Sequence, residues 1–562
     1  MVADEELELY DIQGGIIPGF KKDHTLIIGL FIEDVPGCKA WLKTQANEVA
    51  LASEVLTFNR LHLAMRQRRG HEMGMPNVVW KSISFSAPGL ALLRPADDIN
   101  GAFEDRFVTG MFQDNLQDPP GAQWKVGGSD ETTPHILIVL AADRESDLNA
   151  EMTRLTKEIG ASGGGRLPAL RLSGPPQAGA TLPAPLTGHE HFGFKDGISQ
   201  PAIRGLASRD PTDFFDARLL SPSDPNFDRF GEPGRPLVWP GQFVLGYKRQ
   251  DPRNDLKPRD PFRLRIEWQR NGSYLVYRRL QQKVHLFWRF CEKGAQKVSV
   301  ASGQPITPES FASRLVGRWP SGAPVMRAPA TDDTQLADDD LSNNNFRFSN
   351  PTPVVTLKDG TKASSAFPPP IADPNGRTCP FVGHIRKVNP RDDPTDGGTL
   401  NRLMLRRGIP YGKPQDRAKL LEEDGIDRGL LFMAYQGAIA DQFQFVTHTW
   451  VNQADAPHHG DPETGHDPLI SQKVGARFIR LPIDGDVDRD QQIDLPEDPW
   501  VVMTGGGYFF TPSVSALAGP LTDEISSSPR RRRSRTGGQR QAARQSAQRR
   551  AAGPRNTRGA RR

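Results

Sequence analysis

Apolar residues recur along this chain in two alternating rhythms. Residues 24–33 (His-Thr-Leu-Ile-Ile-Gly-Leu-Phe-Ile-Glu) are a short, dense apolar run of the kind a buried strand carries, and residues 78–85 and 134–142 repeat it. Between 36 and about 65, Trp41, Ala46, Val49, Leu56 and Leu61 are among the apolar positions of what reads as one long helix. A second helix is predicted over 148–159, with Ser146 or Asp147 placed to cap it. Strand, helix, strand, insert, strand, helix, closed by a strand expected near His191, is the order of a ferredoxin-like unit. Residues 163–184, full of Gly and Pro, read as the connector to that last strand.

The second half repeats the theme less regularly. Strands are predicted over 243–247, 273–279, 430–435 and 500–504, and helices over 286–298 and 308–315. The Pro- and Asp-rich stretches 251–260 and 331–350 read as surface insertions. Periodicity alone therefore predicts an α+β chain of two units, residues 1–190 and 191–522, followed by a segment, 523–562, with no apolar pattern.

Composition narrows the classes. With 562 residues, 36% of them hydrophobic, the chain can bury a sizeable core, and no apolar run is long enough to span a bilayer. The acidic N-terminus lacks a basic leader region and a twin-arginine pair, so no secretory signal is expected. Cys38, Cys291 and Cys379 form neither a CxxC pair nor a CxxCH haem-attachment motif, which fits a reducing compartment; a cytoplasmic protein is expected. Net charge is +4, but residues 530–562 hold 13 arginines and no lysine or acidic residue, which leaves the preceding chain net negative. That tail has almost no large apolar residues and is expected to be disordered. It reads either as a tether to nucleic acid or another anionic surface, driven by counterion release, or as a solvated appendix. No aromatic residue interrupts its arginines, so base stacking has no support.

The chemistry-bearing residues fall in three stretches. The first, His191-Phe-Gly-Phe-Lys-Asp-Gly-Ile-Ser-Gln-Pro201, sets the carboxylate of Asp196 between two glycines that let backbone come close. Alone, it is also an ordinary Asp-Gly turn. The others are Cys379-Pro-Phe-Val-Gly-His-Ile-Arg-Lys-Val-Asn-Pro-Arg391 and Leu405-Arg-Arg-Gly-Ile-Pro-Tyr-Gly412. Together they offer a carboxylate, an imidazole and a guanidinium, the set a haem peroxidase needs.

These stretches resemble a known family. Gly193 to Pro201 resembles the GxxDG signature of the dye-decolourising peroxidases, the segment around His384 resembles their haem-ligand segment, and Arg406 falls on their distal arginine. Asp11-Ile-Gln-Gly14, Gln242-Phe-Val-Leu-Gly-Tyr247, Asn271-Gly-Ser-Tyr-Leu-Val276, Arg428-Gly-Leu-Leu-Phe-Met-Ala-Tyr-Gln436, Trp450-Val-Asn452 and Gly507-Tyr-Phe-Phe-Thr-Pro-Ser-Val-Ser515 continue the resemblance in order, from about residue 10 to about 520. Length and insertions resemble the longer, loop-rich members. The resemblance implies two ferredoxin-like units packed as a dimeric-α+β-barrel-type fold, with one haem b (heme b, iron protoporphyrin IX) per chain in the C-terminal half. It implies hydrogen peroxide as oxidant, a ferryl porphyrin radical, and small phenolic or anthraquinone-dye-like electron donors.

Carried over residue by residue, the resemblance makes His384 the proximal iron ligand, with His448 left structural because it matches no motif position. Asp196 becomes the distal acid–base group that takes a proton from one peroxide oxygen and returns it to the other; a carboxylate that titrates near ~4 favours activity on the acid side of neutral. Arg406 supplies fixed positive charge, and Arg407 is expected in a surface salt bridge. Asp441 is the candidate hydrogen-bond partner of the ligating imidazole. Arg386 stands level between a haem propionate and an ordinary salt bridge. Trp450 and Tyr411 are candidate surface radical relays, though core packing is the commoner aromatic role.

Other patterns fail. Residues 484–490 have the alternating aspartates of a calcium loop but Arg489 where it needs glycine and Leu495 where it needs glutamate. His458, His459 and His466 suit only weak adventitious metal binding, and Gly163-Gly-Gly165 lacks the lysine of a phosphate loop. Two other classes compete with a peroxidase: a haem carrier or dechelatase-like protein, which would use His384 without Asp196, and a nucleic-acid-associated protein acting through its tail.

Overall fold

Strands His24–Ile32, Trp80–Phe85 and Ile136–Ala142, with the short pair Leu170–Leu172 and Gln177–Ala180, account for the first half of a ten-stranded sheet. In space the short pair lies outermost against His24–Ile32, then Ile136–Ala142, then Trp80–Phe85, all antiparallel. That order, fourth-first-third-second, is the ferredoxin-like arrangement. The second half repeats it: Val501–Thr511, Ser273–Gln282, Gly429–Gln436, then the short strands Leu405–Arg406 and Ile409–Tyr411. The halves join where Phe510 pairs with Phe85. At the far edges the backbone of Gly179 lies so close to the other half that an added Cβ would sit 2.5 Å from Ile409 Cγ2 and 3.0 Å from the Pro410 carbonyl. This contact brings the sheet's two ends together as a barrel. This computed structural model describes residues 3–524 except 70–76, 162–167, 211, 214–216, 255, 364–365, 396–397, 460–462 and 484–485. The arginine-rich tail and Gly163-Gly-Gly165 lie outside the described residues.

Strand alternation sorts the core into two layers. Ile27, Leu137, Val139, Leu275, Tyr277, Met433 and Phe509 pack together on one face. Their neighbours Ile28, Leu30, Ile138, Leu140, Val276 and Phe510 pack on the other, under helices that include Val35–Gln45 and Glu145–Ala161. A third cluster lies around helices Val284–Ser302 and Pro308–Val316 and takes in Phe192 and Phe194, the residues that lead to Asp196.

Four expectations fail, one of them the surface insertion at 331–350, where Leu336, Phe346 and Phe348 are buried in a core cluster of their own. The predicted helix 36–65 is broken into Val35–Gln45 and Ala52–Arg69, because the intervening turn is claimed by the N-terminal segment: Gly14 N–H donates to the Ala50 carbonyl and Ala52 N–H to that of Ile12. The strand expected near His191 is a tight turn, and the fourth strand of the first unit lies instead in the Gly- and Pro-rich stretch read as a connector. Residues 243–247 are buried but irregular, and Gly246 carries a φ of +96°.

Candidate active site

Asp196 is presented by a turn whose conformation requires glycine. Gly193 and Gly197 have φ of +99° and +78°, in the left-handed region. Trp288 donates to the Phe192 carbonyl at 3.2 Å, and the rings of Phe192 and Phe287 stack with centroids 4.4 Å apart, so the turn is pinned to helix Val284–Ser302. Glu190 closes it from within: its two carboxylate oxygens accept the Phe192 and Phe194 N–H groups at 2.9 Å each, and Gln282 donates to it as well. Burial pushes the Glu190 carboxyl up to about 7, against the pull of those donors and with a further push from the charge on Asp196.

Across from this turn stands Arg406, on the edge strand Leu405–Arg406 that pairs with Gly429–Gln436. Its Nη1 lies 3.6 Å from Asp196 Oδ1, its Nη2 donates to the Ser199 carbonyl at 2.8 Å, and Gln200 brackets its backbone. Asp196 Oδ1 also accepts the Gly197 N–H at 2.6 Å. Its Oδ2 has no hydrogen-bond partner among the described residues, and the side chain is 46% exposed, so one carboxylate oxygen is available to a small molecule.

His384 opens the short helix His384–Val388. Its Nδ1 lies 2.9 Å from Asp467 Oδ2, while Asp467 Oδ1 accepts the N–H groups of Leu469 and Ile470 at 2.8 Å each. Burial alone would raise the Asp467 carboxyl; the imidazole and the two amides outweigh it and hold the group below its ordinary value. The imidazole side chain is 23% exposed and its Nε2 carries no hydrogen bond among the described residues. A histidine with Nδ1 held by a carboxylate and Nε2 open is arranged as a metal ligand.

One segment braces both sides. At the end of helix Pro308–Val316, Gly317 (φ +94°) presses on Ile385, next to His384, where an added Cβ would be 2.4 Å from Cγ1. Five residues on, Gly322 (φ +102°) presses on Ile198 and Lys195, the neighbours of the Asp196 turn, at 2.7 and 3.2 Å.

The donors around Arg406 also suit an anionic cofactor. Arg318, Arg391 and Arg407 have no carboxylate in ion-pair reach among the described residues, and donate to carbonyls and amides instead. Burial, together with the mutual repulsion of these guanidiniums, pushes Arg318 down to about 9; burial pushes Arg391 and Arg407 down to about 10. A buried excess of positive charge fits a group that brings its own carboxylates, as haem does with its two propionates.

Two sequence expectations are corrected here, for Asp441 and Arg407, and the two level readings of Arg386 are decided for the salt bridge. Asp441 is exposed at the start of the Ala440–Gln444 helix, where its backbone carbonyl accepts from Arg402; the partner of the His384 imidazole is Asp467, 83 residues along the chain. Arg386 is fully buried between Asp373 and Asp393, and all five of its N–H groups are taken by those carboxylates and by the Cys379 and Asp373 carbonyls, so none is left for a propionate. Arg407, expected in a surface salt bridge, is half-buried, packs against Gly19 and donates to the Ile16 carbonyl. No local motif marks Asp467; its one signal is the Asp-Pro dipeptide, whose carboxylate caps the turn that follows.

Comparison with known proteins agrees with this geometry. The family description "DyP dimeric alpha+beta barrel domain" matches residues 11–164, and "Dyp-type peroxidase, C-terminal" matches residues 335–461. The chain is 31% identical over 534 residues to a dye-decolorizing peroxidase of Mycena epipterygia, covering 92% of this chain and 87% of that protein. It is 29% identical over 531 residues to a dye-decolorizing peroxidase of Auricularia auricula-judae, covering 93% and 88%. Among solved structures, an ancestral D-type dye decolorizing peroxidase superposes with a TM-score of 0.71 at 30% identity, covering 92% of this chain and all of that one. A dye-decolorizing peroxidase in complex with 2,6-dimethoxyphenol superposes at 0.69 and 28%, with the same coverage.

Proposed function

The chain belongs to the dye-decolourising peroxidase family, and on that premise we propose that His384, Asp196 and Arg406 are the working groups of its peroxide site. It is a peroxidase that oxidises dye or phenolic donors. The family implies haem, and the finer assignment to one haem b per chain rests on the donor set: an open imidazole nitrogen and a buried positive field, with no cysteine motif for covalent attachment. In this reading His384 Nε2 would hold the iron, and Arg406 with the neighbouring guanidiniums would hold the propionates. Haem supplies the redox centre that takes oxidising equivalents from peroxide and passes them to donors singly.

This chain's own residues do the rest. Asp196 Oδ2 takes the proton from hydrogen peroxide and returns it to the departing oxygen, while Oδ1, held by the Gly197 N–H, keeps the carboxylate in place. Arg406 sets positive charge beside the developing hydroxide. Asp467 keeps the His384 proton on Nδ1, so that Nε2 presents its lone pair. The juxtaposition of Asp196 and Arg406, 210 residues apart in sequence and 3.6 Å apart in space, carries the assignment. Cytoplasmic residence is part of the proposal, supported by three buried, unpaired cysteines. Among the described residues, no helix is long and apolar enough to cross a membrane.

Rapid mixing of haem-loaded protein with hydrogen peroxide tests the roles. Asp196→Asn is expected to slow the reaction by roughly 10²–10⁴-fold with the haem spectrum intact, the usual size of a lost acid–base group. An unchanged rate would remove Asp196 from the chemistry.

A further inference from the structure

The bond between His384 and Asp467 joins two pieces of chain far apart in sequence, and something must hold them at 2.9 Å. Lys387 is placed to do so. It lies three residues after His384 on the same short helix, a spacing that puts both side chains over one stretch of surface. Its side chain is buried, and its ammonium donates to three backbone carbonyls: Gln453 at 2.9 Å, Ala456 at 2.5 Å and Gly465 at 2.6 Å. A lysine has three N–H donors, so all are used. No carboxylate lies within ion-pair distance of it among the described residues.

Those three carbonyls precede Asp467 in the chain, and Gly465 is two residues before it. At Gly465 the chain is already tight: φ is +113°, and an added Cβ would be 2.6 Å from the Phe478 carbonyl of the adjoining strand. Its N–H donates to the Ala454 carbonyl at 2.8 Å, which ties Gly465 to the residue beside Gln453. A buried ammonium with no carboxylate in contact, only the more distant charges of Asp467 and Asp455, is costly, and is retained where it fixes one arrangement among several. Here the arrangement is the distance between the helix that carries the imidazole and the loop that carries its carboxylate.

We propose that Lys387 is a positioning residue for the proximal pair: by caging the carbonyls of Gln453, Ala456 and Gly465 it holds Asp467 in hydrogen-bond register with His384. The inference rests on His384 being the iron ligand. Without the cage the carboxylate drifts, the imidazole loses anionic character, and ferrous haem gains relative to ferric.

The test is the midpoint potential of the haem-loaded protein in Asp467→Asn, Lys387→Met and the double variant. Lys387→Met is expected to raise the potential in the same direction as Asp467→Asn, by up to about 59 mV, a tenfold shift in a one-electron equilibrium. The double variant is expected to match Asp467→Asn alone, since both substitutions break one interaction. Lys387→Arg, which keeps charge and donors, is expected to restore part of the shift; should the methionine variant not fold, Lys387→Gln carries the same comparison. If Asp467→Asn moves the potential while the lysine variants lower only the melting temperature, or if the two shifts add, Lys387 is merely structural and the inference is overturned. If Asp467→Asn leaves the potential unmoved, the ligand reading of His384 falls and takes the inference with it.

Discussion

Replacing Asp467 by Asn exchanges one oxygen for an NH₂ group, and the surroundings dictate where that group goes. Oδ1 accepts two backbone N–H groups, from Leu469 and Ile470, at 2.8 Å each, so the amide oxygen of Asn stays there. The NH₂ then faces His384 Nδ1 across 2.9 Å, and two donors cannot share that contact. Nδ1 must give up its hydrogen and accept, which moves the imidazole proton to Nε2, the nitrogen required by iron. The opposite amide orientation would strand two backbone donors, at about 1–3 kcal/mol each. Losing such a supporting partner typically costs 10–100-fold in metal affinity, about 1.4–2.7 kcal/mol. Haem titration into apo-protein, followed at the Soret band, is therefore expected to show a dissociation constant raised by one to two orders of magnitude in Asp467→Asn. Apo-protein melting should change little, because the tautomer matters only when iron is bound. Haem affinity equal to wild type would refute the argument, as would a loss explained entirely by a destabilised apo-protein.

Arg386→Met leaves Asp373 and Asp393 as buried carboxylates without their cation, at about 3–5 kcal/mol. Apo-protein melting should fall sharply, whereas a residue serving only a haem propionate would leave the apo-protein unaffected. His191 is buried, donates through Nε2 to the Tyr411 carbonyl at 2.8 Å, and is pushed by burial from 6.5 down to about 4. Because the unfolded chain takes up this proton first, stability falls as pH drops from ~6.5 to ~4, by up to about 3 kcal/mol, and levels off below. His191→Gln keeps a donor without the titration, so its chemical-denaturation stability should vary less over that interval; identical slopes for both proteins would contradict the assignment.

Much of this was legible in the sequence because the governing physics is local. The alternation in Ile27 and Ile28, or in Leu137 and Ile138, sends successive side chains to opposite layers, so strands were found where the runs lay. Asp196 and Gly197 could be read as a turn because Asp-Gly makes turns regardless of context. The failures have tertiary causes. Residues 46–51 have helix-compatible composition, yet the hydrogen bonds that Ala50 and Ala52 make to Gly14 and Ile12 stabilise the chain more than a continued helix would. Residues 243–247 are apolar because they are buried, and a short buried run does not distinguish strand from coil. Asp441 is the wrong partner for His384 because its motif says nothing of distance in space, and for the same reason the sequence leaves Arg386 undecided between a propionate and a salt bridge. What decides both roles, the Asp373–Asp393 cradle and the approach of Asp467 to His384, exists only once the chain has closed.

The most direct test of the central claim is an absorption spectrum of haem-loaded protein, taken before and after one equivalent of hydrogen peroxide and again after adding a phenol, for wild type and His384→Ala. Wild type should show a Soret band that changes with peroxide and returns with the phenol, and His384→Ala should bind haem weakly and lack that cycle. A wild-type spectrum indifferent to peroxide, or a His384→Ala spectrum that matches wild type throughout, would contradict it.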